Sequence, residues 1–200
     1  MPARAAGYRD DMTSLTLTFD DGPDERGTPA VLEALRAARA TATFFVGGPE
    51  AERHPDLLAQ IVEDGHGIGL HCDAHIRHSE LDRAGVLRDT ERALGRLDAL
   101  RVAPTLWRTP WGVTEPFTRE IADRFGLRII GWDLDTHDWR GDSAETMLAA
   151  TRHGLRAGSI VLLHDGIGPG ARREDCRQTA VYVRLAAQWA ARQGLGLCAL

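Results

Sequence analysis

Apolar and polar positions along this chain change period repeatedly. Over residues 15–19, Leu15, Leu17 and Phe19 fall on one side and Thr16 and Thr18 on the other, the two-residue period of a strand. Asp20-Asp21-Gly22-Pro23 then turns the chain. Thr28-Pro29 reads as an N-cap followed by proline at the first helical position, and Val31, Leu32 and Leu35 line one face of a helix to about Arg39. Residues 41–46 form a second strand, closed by Gly47-Gly48. A helix after Pro55 carries Leu57, Leu58, Ile61 and Val62 and stops at Gly65. Residues 67–70 are a short third strand. Ser79 with Asp82 resembles a capping box, ahead of a long helix with Val86, Thr90, Leu94, Leu97 and Leu100. Residues 105–108 make a fourth strand, and Thr114 caps a helix that runs to Phe125. Residues 127–132 read as one continuous fifth strand, and Ser143 opens a helix to about Leu155. Residues 159–163 form a strand apolar enough to be buried on both faces. After a long loop the last helix ends at Gly194, and a seventh strand is expected over residues 195–200.

Strand and helix alternate to the end, which implies a parallel sheet with helical crossovers. Seven strands with helices around them favour an α/β fold of the incomplete, distorted parallel β/α barrel kind, with an open doubly wound sheet as the alternative. No glycine-rich phosphate loop follows a strand in the form nucleotide binding requires. Residues 1–12 read as an extension and 13–200 as one domain. With 43% apolar and 26% charged residues and a net charge of −5, the 200 residues have no basic footprint for nucleic acid and no membrane-spanning run. The three cysteines, Cys72, Cys176 and Cys198, are too scattered for a disulfide framework. Residues 1–12 have no apolar core of the secretory kind. The expectation is a cytoplasmic protein as the sequence stands, or a secreted or wall-associated one if a leader has been removed.

Functional groups of parallel α/β folds collect where strands end. Asp20-Asp21 follows the first strand, His71 and His75 the third, Arg108-Thr109-Pro110-Trp111-Gly112 the fourth. Asp133, Asp135, Asp138 and Trp139 follow the fifth strand and His164-Asp165 the sixth. Adjacent carboxylates repel unless a cation is near. His71 and His75, four residues apart, place two imidazoles on one side of a tight loop, and Asp21 is on offer as third ligand. Two histidines and a carboxylate suit zinc, and also iron, cobalt or manganese. No glutamate follows His71, so the zinc-protease helix is excluded.

The motifs together resemble those of the polysaccharide deacetylases, carbohydrate esterase family 4, which share the NodB homology domain. Thr18-Phe19-Asp20-Asp21-Gly22, His71-Cys72-Asp73-Ala74-His75, Arg108-Thr109-Pro110-Trp111-Gly112, Asp135-Thr136-His137-Asp138-Trp139 and Leu162-Leu163-His164 occur in the family's order. The resemblance implies a NodB-like barrel and removal of acetyl groups from N- or O-acetylated sugars or glycans. It implies a divalent metal on Asp21, His71 and His75, with Zn2+ the first choice and Co2+, Fe2+, Ni2+ or Mn2+ as alternatives. Asp20 would be the general base, paired with Arg108; His164 would be the general acid, oriented by Asp138. The Trp111 N–H would be an oxyanion donor, and Pro110, Trp111, Trp139 and Leu162 substrate contacts. Arg172 and Arg173, with Arg77 and Arg140 on the same rim, are expected to favour an anionic group on the substrate. Asp133 and Asp135 are expected to cap or be solvated, Trp107 and Trp132 to lie in the core. Cys72 departs from the family's Ser or Thr, and Trp111 from its Tyr. Two other readings remain: hydrolysis of a cyclic imide or ureide on the same fold, and a retired, carbohydrate-binding deacetylase.

Overall fold

A computed structural model of the chain describes residues 13–200; the extension expected over residues 1–12 lies outside the described residues. The strands are β1 (Ser14–Asp20), β2 (Thr43–Val46), β3 (Gly67–Leu70), β4 (Leu106–Trp107), β5 (Arg128–Ile129), β6 (Leu134–Asp135), β7 (Ile160–His164) and β8 (Gly196–Leu197). The helices are α1 (Thr28–Ala38), α2 (Gly48–Arg53), α3 (Pro55–Glu63), α4 (Arg83–Ala99), α5 (Pro116–Arg124), α6 (Ala144–Thr151) and α7 (Arg177–Arg192). The sheet order is β5-β4-β3-β2-β1-β7-β6, with β8 pairing the start of β1. Every pairing is parallel. The sheet curls into the incomplete barrel expected from the alternation.

The barrel's gap corrects one element. The strand expected over residues 127–132 is split, because the chain leaves one edge of the sheet and joins the other within it. The Ile130 N–H still donates to the Trp107 carbonyl, whereas the Asp133 N–H already donates to that of Ile160. Gly131 and Trp132 cross the gap between them. Asp135, Asp138 and Trp139 therefore follow β6, beside β7, and not the fifth strand.

The side chains of β1 separate two packed layers. Leu15, Leu17 and Phe19 join the larger core with Val31, Leu32 and Leu35 of α1 and Val183 and Ala186 of α7. The alternate face looks into the barrel, where Phe45, Leu106 and Ile130 form a second cluster with Ile160 and Leu200 against it. Thr16 and Thr18 are buried on that face, so the alternation marks two cores and not a solvated side. Thr18 Oγ1 donates to the Val161 carbonyl at 2.7 Å.

Several helix starts shift from the sequence expectation. Gly27, not Thr28, is the N-cap of α1, because the Thr28 hydroxyl donates instead to Asp165 Oδ2 at 2.5 Å. Asp82 caps α4 through the Gly85 N–H, and Ser79 lies in a separate 3-10 turn. Glu115 replaces Thr114 as the cap of α5, in a reciprocal box with Thr118. Ser143 caps α6 as expected. Helix α2 has no apolar stripe to reveal it; it is fixed by Pro49 in its first turn and by the close approach of Gly48 to Ala93 of α4.

Candidate active site

The ends of β1 and β3 bring three ligand-bearing side chains together. Asp21 takes a left-handed conformation (φ 71°) that turns its carboxylate out of the strand. Its Oδ1 lies 3.3 Å from His71 Nε2 and 3.2 Å from His75 Nε2. One ligand atom from each of the three residues fits within 4.8 Å of the others. His71 Nδ1 is 2.7 Å from the Arg108 carbonyl oxygen. A carbonyl only accepts, so Nδ1 carries a hydrogen, and Nε2 is the nitrogen that faces Asp21, able to donate to it when protonated or to bind an ion when not. A Cβ added to Gly168 would overlap Asp21 Oδ2, and one added to Gly166 would overlap the Asp21 carbonyl, so the loop after β7 closes tightly on the ligand. Burial pushes the Asp21 carboxyl up, but hydrogen bonds from His71 and His75 outweigh it and hold it well below the carboxylate range. His71 is raised: burial opposes its charge, and Asp21 and Asp20 overcome that opposition. The cluster favours positive charge, and its donor set fits a divalent ion of the zinc class.

Asp20 is the neighbouring carboxylate on the barrel side. Arg108, wholly buried, donates from Nη1 to Asp20 Oδ1 at 2.9 Å and to Thr18 Oγ1 at 2.7 Å. Its Nη2 donates to the Gly131 carbonyl at 2.9 Å and its Nε to that of Ile130 at 3.3 Å. One planar fork thus fixes Asp20 and satisfies two carbonyls at the barrel gap. The guanidinium also stacks over Phe45, 4.2 Å from the ring centroid. Lysine could not reproduce this geometry.

Across the cavity, His164 Nδ1 lies 2.8 Å from Asp138 Oδ1, and Asp138 Oδ2 accepts from the His164 backbone N–H at 3.0 Å. Burial lowers the His164 imidazole, but the Asp138 charge and hydrogen bond raise it to about 9. Asp138 is opposed by burial and held at about 2 by His164 and Arg173. With Nδ1 engaged, Nε2 is the nitrogen left to exchange a proton.

Arg173 has a partner that the sequence did not reveal. Its Nη1 donates to Asp138 Oδ2 at 2.8 Å and to Thr179 Oγ1, and its Nη2 to the carbonyls of His164 at 2.8 Å and Gly166 at 3.2 Å. Its guanidinium is paired with Asp138 while the side chain also lines the cavity. Arg172 is exposed, with its guanidinium 5.9 Å from the Trp139 ring centroid and its backbone N–H on the Trp139 carbonyl. Pro110 is buried and does not reach the cavity wall; it precedes Trp111, which adopts a left-handed conformation (φ 53°).

Trp111, Trp139 and Leu162 do line the cavity of about 440 Å³ that contains Asp20, Asp21, His71, His75 and His164. Trp111 stands edge-on to His75 at 4.1 Å, with Arg77 over its other side at 4.1 Å. Trp132, expected in the core, lines the wall too: the gap crossing carries it inward, where Gly112 leaves room for its ring. Trp107 is core, as expected. Asp133 accepts from the Ile160 N–H, 27 residues on, at the start of β7, and Asp135, which also lines the cavity, accepts from the His137 N–H. A second cavity of about 410 Å³ shares Asp21, His71 and His75 with the first and runs past Glu50, Arg53 and Asp73.

One residue escaped the sequence reading, and a second was placed at a strand end without a role. Asp89 of α4 accepts the N–H groups of Asp73 at 3.0 Å and Ala74 at 2.7 Å, inside the loop between the two histidines. Its place three residues after Val86, on the buried face of α4, marked it as a carboxylate where an apolar residue belongs. Asp165 is fully buried after β7; burial pushes it up to about 7, and among the described residues the Thr28 hydroxyl is the side chain that bonds its Oδ2.

The family pattern described as polysaccharide deacetylase matches residues 8–130. The chain belongs to the polysaccharide deacetylase family. A chitooligosaccharide deacetylase of Bradyrhizobium sp. (strain ANU 289) is 33% identical over 165 residues, 80% of this chain and 74% of that protein. A peptidoglycan-N-acetylglucosamine deacetylase of Listeria monocytogenes is 34% identical over 154 residues, 76% of this chain but 32% of its own length. A family 4 carbohydrate esterase from Streptomyces lividans, solved with acetate, superposes with a TM-score of 0.82 at 29% identity, covering 92% of this chain and 91% of its own. This member of the deacetylase family is therefore an enzyme of that class on the NodB-type barrel.

Proposed function

We propose that the chain removes the acetyl group from N-acetylglucosamine units of an oligo- or polysaccharide, using a divalent ion, Zn2+ first, held by Asp21, His71 and His75. The observation that carries this reading is the placing of a carboxylate locked by Arg108 and an imidazole raised by Asp138 on one cavity with the three-ligand cluster. An amide is a poor electrophile with a poor leaving group, so its hydrolysis needs an activated water, a polarised carbonyl and a proton donor. An ion bound there lowers the pKa of a water and polarises the carbonyl oxygen. Asp20, adjacent to ligand Asp21, takes the proton from the attacking water. Arg108 keeps Asp20 aimed. His164, held protonated by Asp138, gives its Nε2 proton to the departing amine, and Arg173 holds Asp138 from behind. The Trp111 N–H serves as an oxyanion donor. Leu162 and Trp139 enclose the acetyl methyl, and Trp111 and Trp132 offer flat faces to a pyranose.

The joining of two cavities at the ligand cluster favours a chain of sugars over a small cyclic imide, which would leave one of them unfilled. The test is acetate release by metal-reconstituted protein from chitotetraose, peptidoglycan fragments and acetylated xylan. Release from the N-acetylglucosamine substrates supports the reading. Release from xylan alone, or from none, removes it.

A further inference from the structure

The loop between His71 and His75 is held from outside by one face of α4. Asp89, buried at 8% exposure, accepts the N–H of Asp73 through Oδ2 at 3.0 Å and that of Ala74 through Oδ1 at 2.7 Å. The Asp73 carboxylate turns back to the same helix, accepting from Arg92 Nε and Arg96 Nε, each at 2.8 Å. Positions 89, 92 and 96 recur at three- and four-residue spacing, so they share a helix face. Arg96 also pairs with Glu52 of α2, which anchors the clamp to a second helix.

Consecutive N–H groups at a loop apex have no strand or helix to bond. A carboxylate is the one side chain that can accept from both at once through separate oxygens. Cys72, inside the same loop, cannot do this work: its buried thiol is a weak hydrogen-bond partner and offers a single atom. His75 has no other such tether, because its Nδ1 is buried without a hydrogen-bond partner among the described residues. Asp21 and the Trp111 ring meet the His75 imidazole at its tip and flank, but the backbone that carries it toward His71 is held by Asp89.

We propose that Asp89 is a positioning residue for the metal centre, fixing the His71–His75 geometry through the Asp73 and Ala74 N–H groups. This rests on the metal reading of Asp21, His71 and His75. Asparagine at 89 keeps the size but offers one acceptor oxygen, and sets an amino group against a backbone N–H. One loop N–H is then unpaired, and the His75 imidazole loses its fixed direction.

The test uses the metal-free full chain titrated with Co2+, read by its visible d–d absorption and by the dissociation constant. Asp89→Asn is expected to weaken Co2+ binding about 10- to 100-fold, the range for lost supports of metal ligands, and to change the band shape. Cys72→Ser is expected to leave both within about twofold, well inside that supporting-residue range. Wild-type affinity and spectrum in folded Asp89→Asn would overturn the inference. If that variant does not fold, the double variant Arg92→Ala/Arg96→Ala, which frees Asp73 on the surface, replaces it. A loss of about threefold is expected there, on the scale of exposed ion pairs, and no loss would equally overturn it. Absence of Co2+ binding by the wild type would instead remove the metal reading itself.

Discussion

Replacing Asp138 by Asn removes the charge that keeps His164 protonated while leaving its shape in place. In the folded chain His164 is raised from 6.5 to about 9, burial opposing and Asp138 driving. That difference corresponds to about 3 kcal/mol of preference for the imidazolium form. Without Asp138 the burial contribution is opposed only by Asp21 and Asp20, and the imidazole should titrate well below its wild-type value of about 9. The sign for stability follows: a raised histidine contributes fully below 6.5 and loses its contribution as pH rises through 9. Metal-free wild type should therefore weaken between pH 7 and 10 in a way that Asp138→Asn does not. The His164 value also includes attraction from Asp20 and Asp21. A divalent ion on Asp21 offsets part of that, so metal loading should lower the imidazole from about 9 even in the wild type. Two assays read this. Histidine side-chain 15N NMR follows the titration in metal-free and loaded protein, and the basic limb of the pH–rate profile for acetate release follows its consequence. At pH 8 the variant should lose about 10²- to 10⁴-fold in kcat, the range for a general acid. The variant also leaves Arg173 facing a neutral amide, so its melting point is checked first. A folded Asp138→Asn protein whose His164 titration and basic limb match the wild type would refute the reasoning.

Three further substitutions probe the same architecture. Gly168→Ala should displace Asp21, which its Cβ would overlap, and isothermal titration should show weakened Zn2+ binding with near-wild-type stability of the metal-free protein. Arg108→Lys keeps a charge but loses the fork to Asp20, Thr18 and the Ile130 and Gly131 carbonyls; it should cost about 3–5 kcal/mol in denaturant unfolding, as when a buried pair is broken, and abolish most activity. Asp165, raised from 3.8 to about 7, contributes stability to the metal-free wild type that is full below 3.8 and is lost as pH rises through 7. Asp165→Asn should lack that fall of up to about 4 kcal/mol, which unfolding curves at pH 5 and pH 8 would show.

The sequence made the strand-end chemistry legible because each group follows a short apolar strand directly. Asp20, Asp21, His71, His75, Arg108, Asp138 and His164 could be assembled from motif order and an α/β alternation before any coordinates. The barrel gap was not legible: Leu127 to Trp132 is a good β sequence, and only tertiary pairing decides that Ile130 stays with β4 while Asp133 joins β7. That one crossing also explains why Trp132 lines the cavity. The pairing of Arg173 with Asp138 was not legible, because a surface-loop arginine and a buried partner of a carboxylate look alike in sequence; the two lie 35 residues apart. Asp89 was readable in principle, as a carboxylate on the apolar face of α4, but its purpose depends on a loop that only the fold brings beside it.

The central claim is the division of labour between the adjacent carboxylates, Asp21 holding the ion and Asp20 taking a proton from water. Asp20→Asn, loaded with Zn2+ and assayed for both bound metal and acetate release from chitotetraose, tests it most directly. The account predicts that the variant keeps about one Zn2+ per chain, because its three ligands are untouched, and loses about 10²-fold or more in kcat, as expected for removal of a general base. Full acetate release by Zn2+-loaded Asp20→Asn would contradict it.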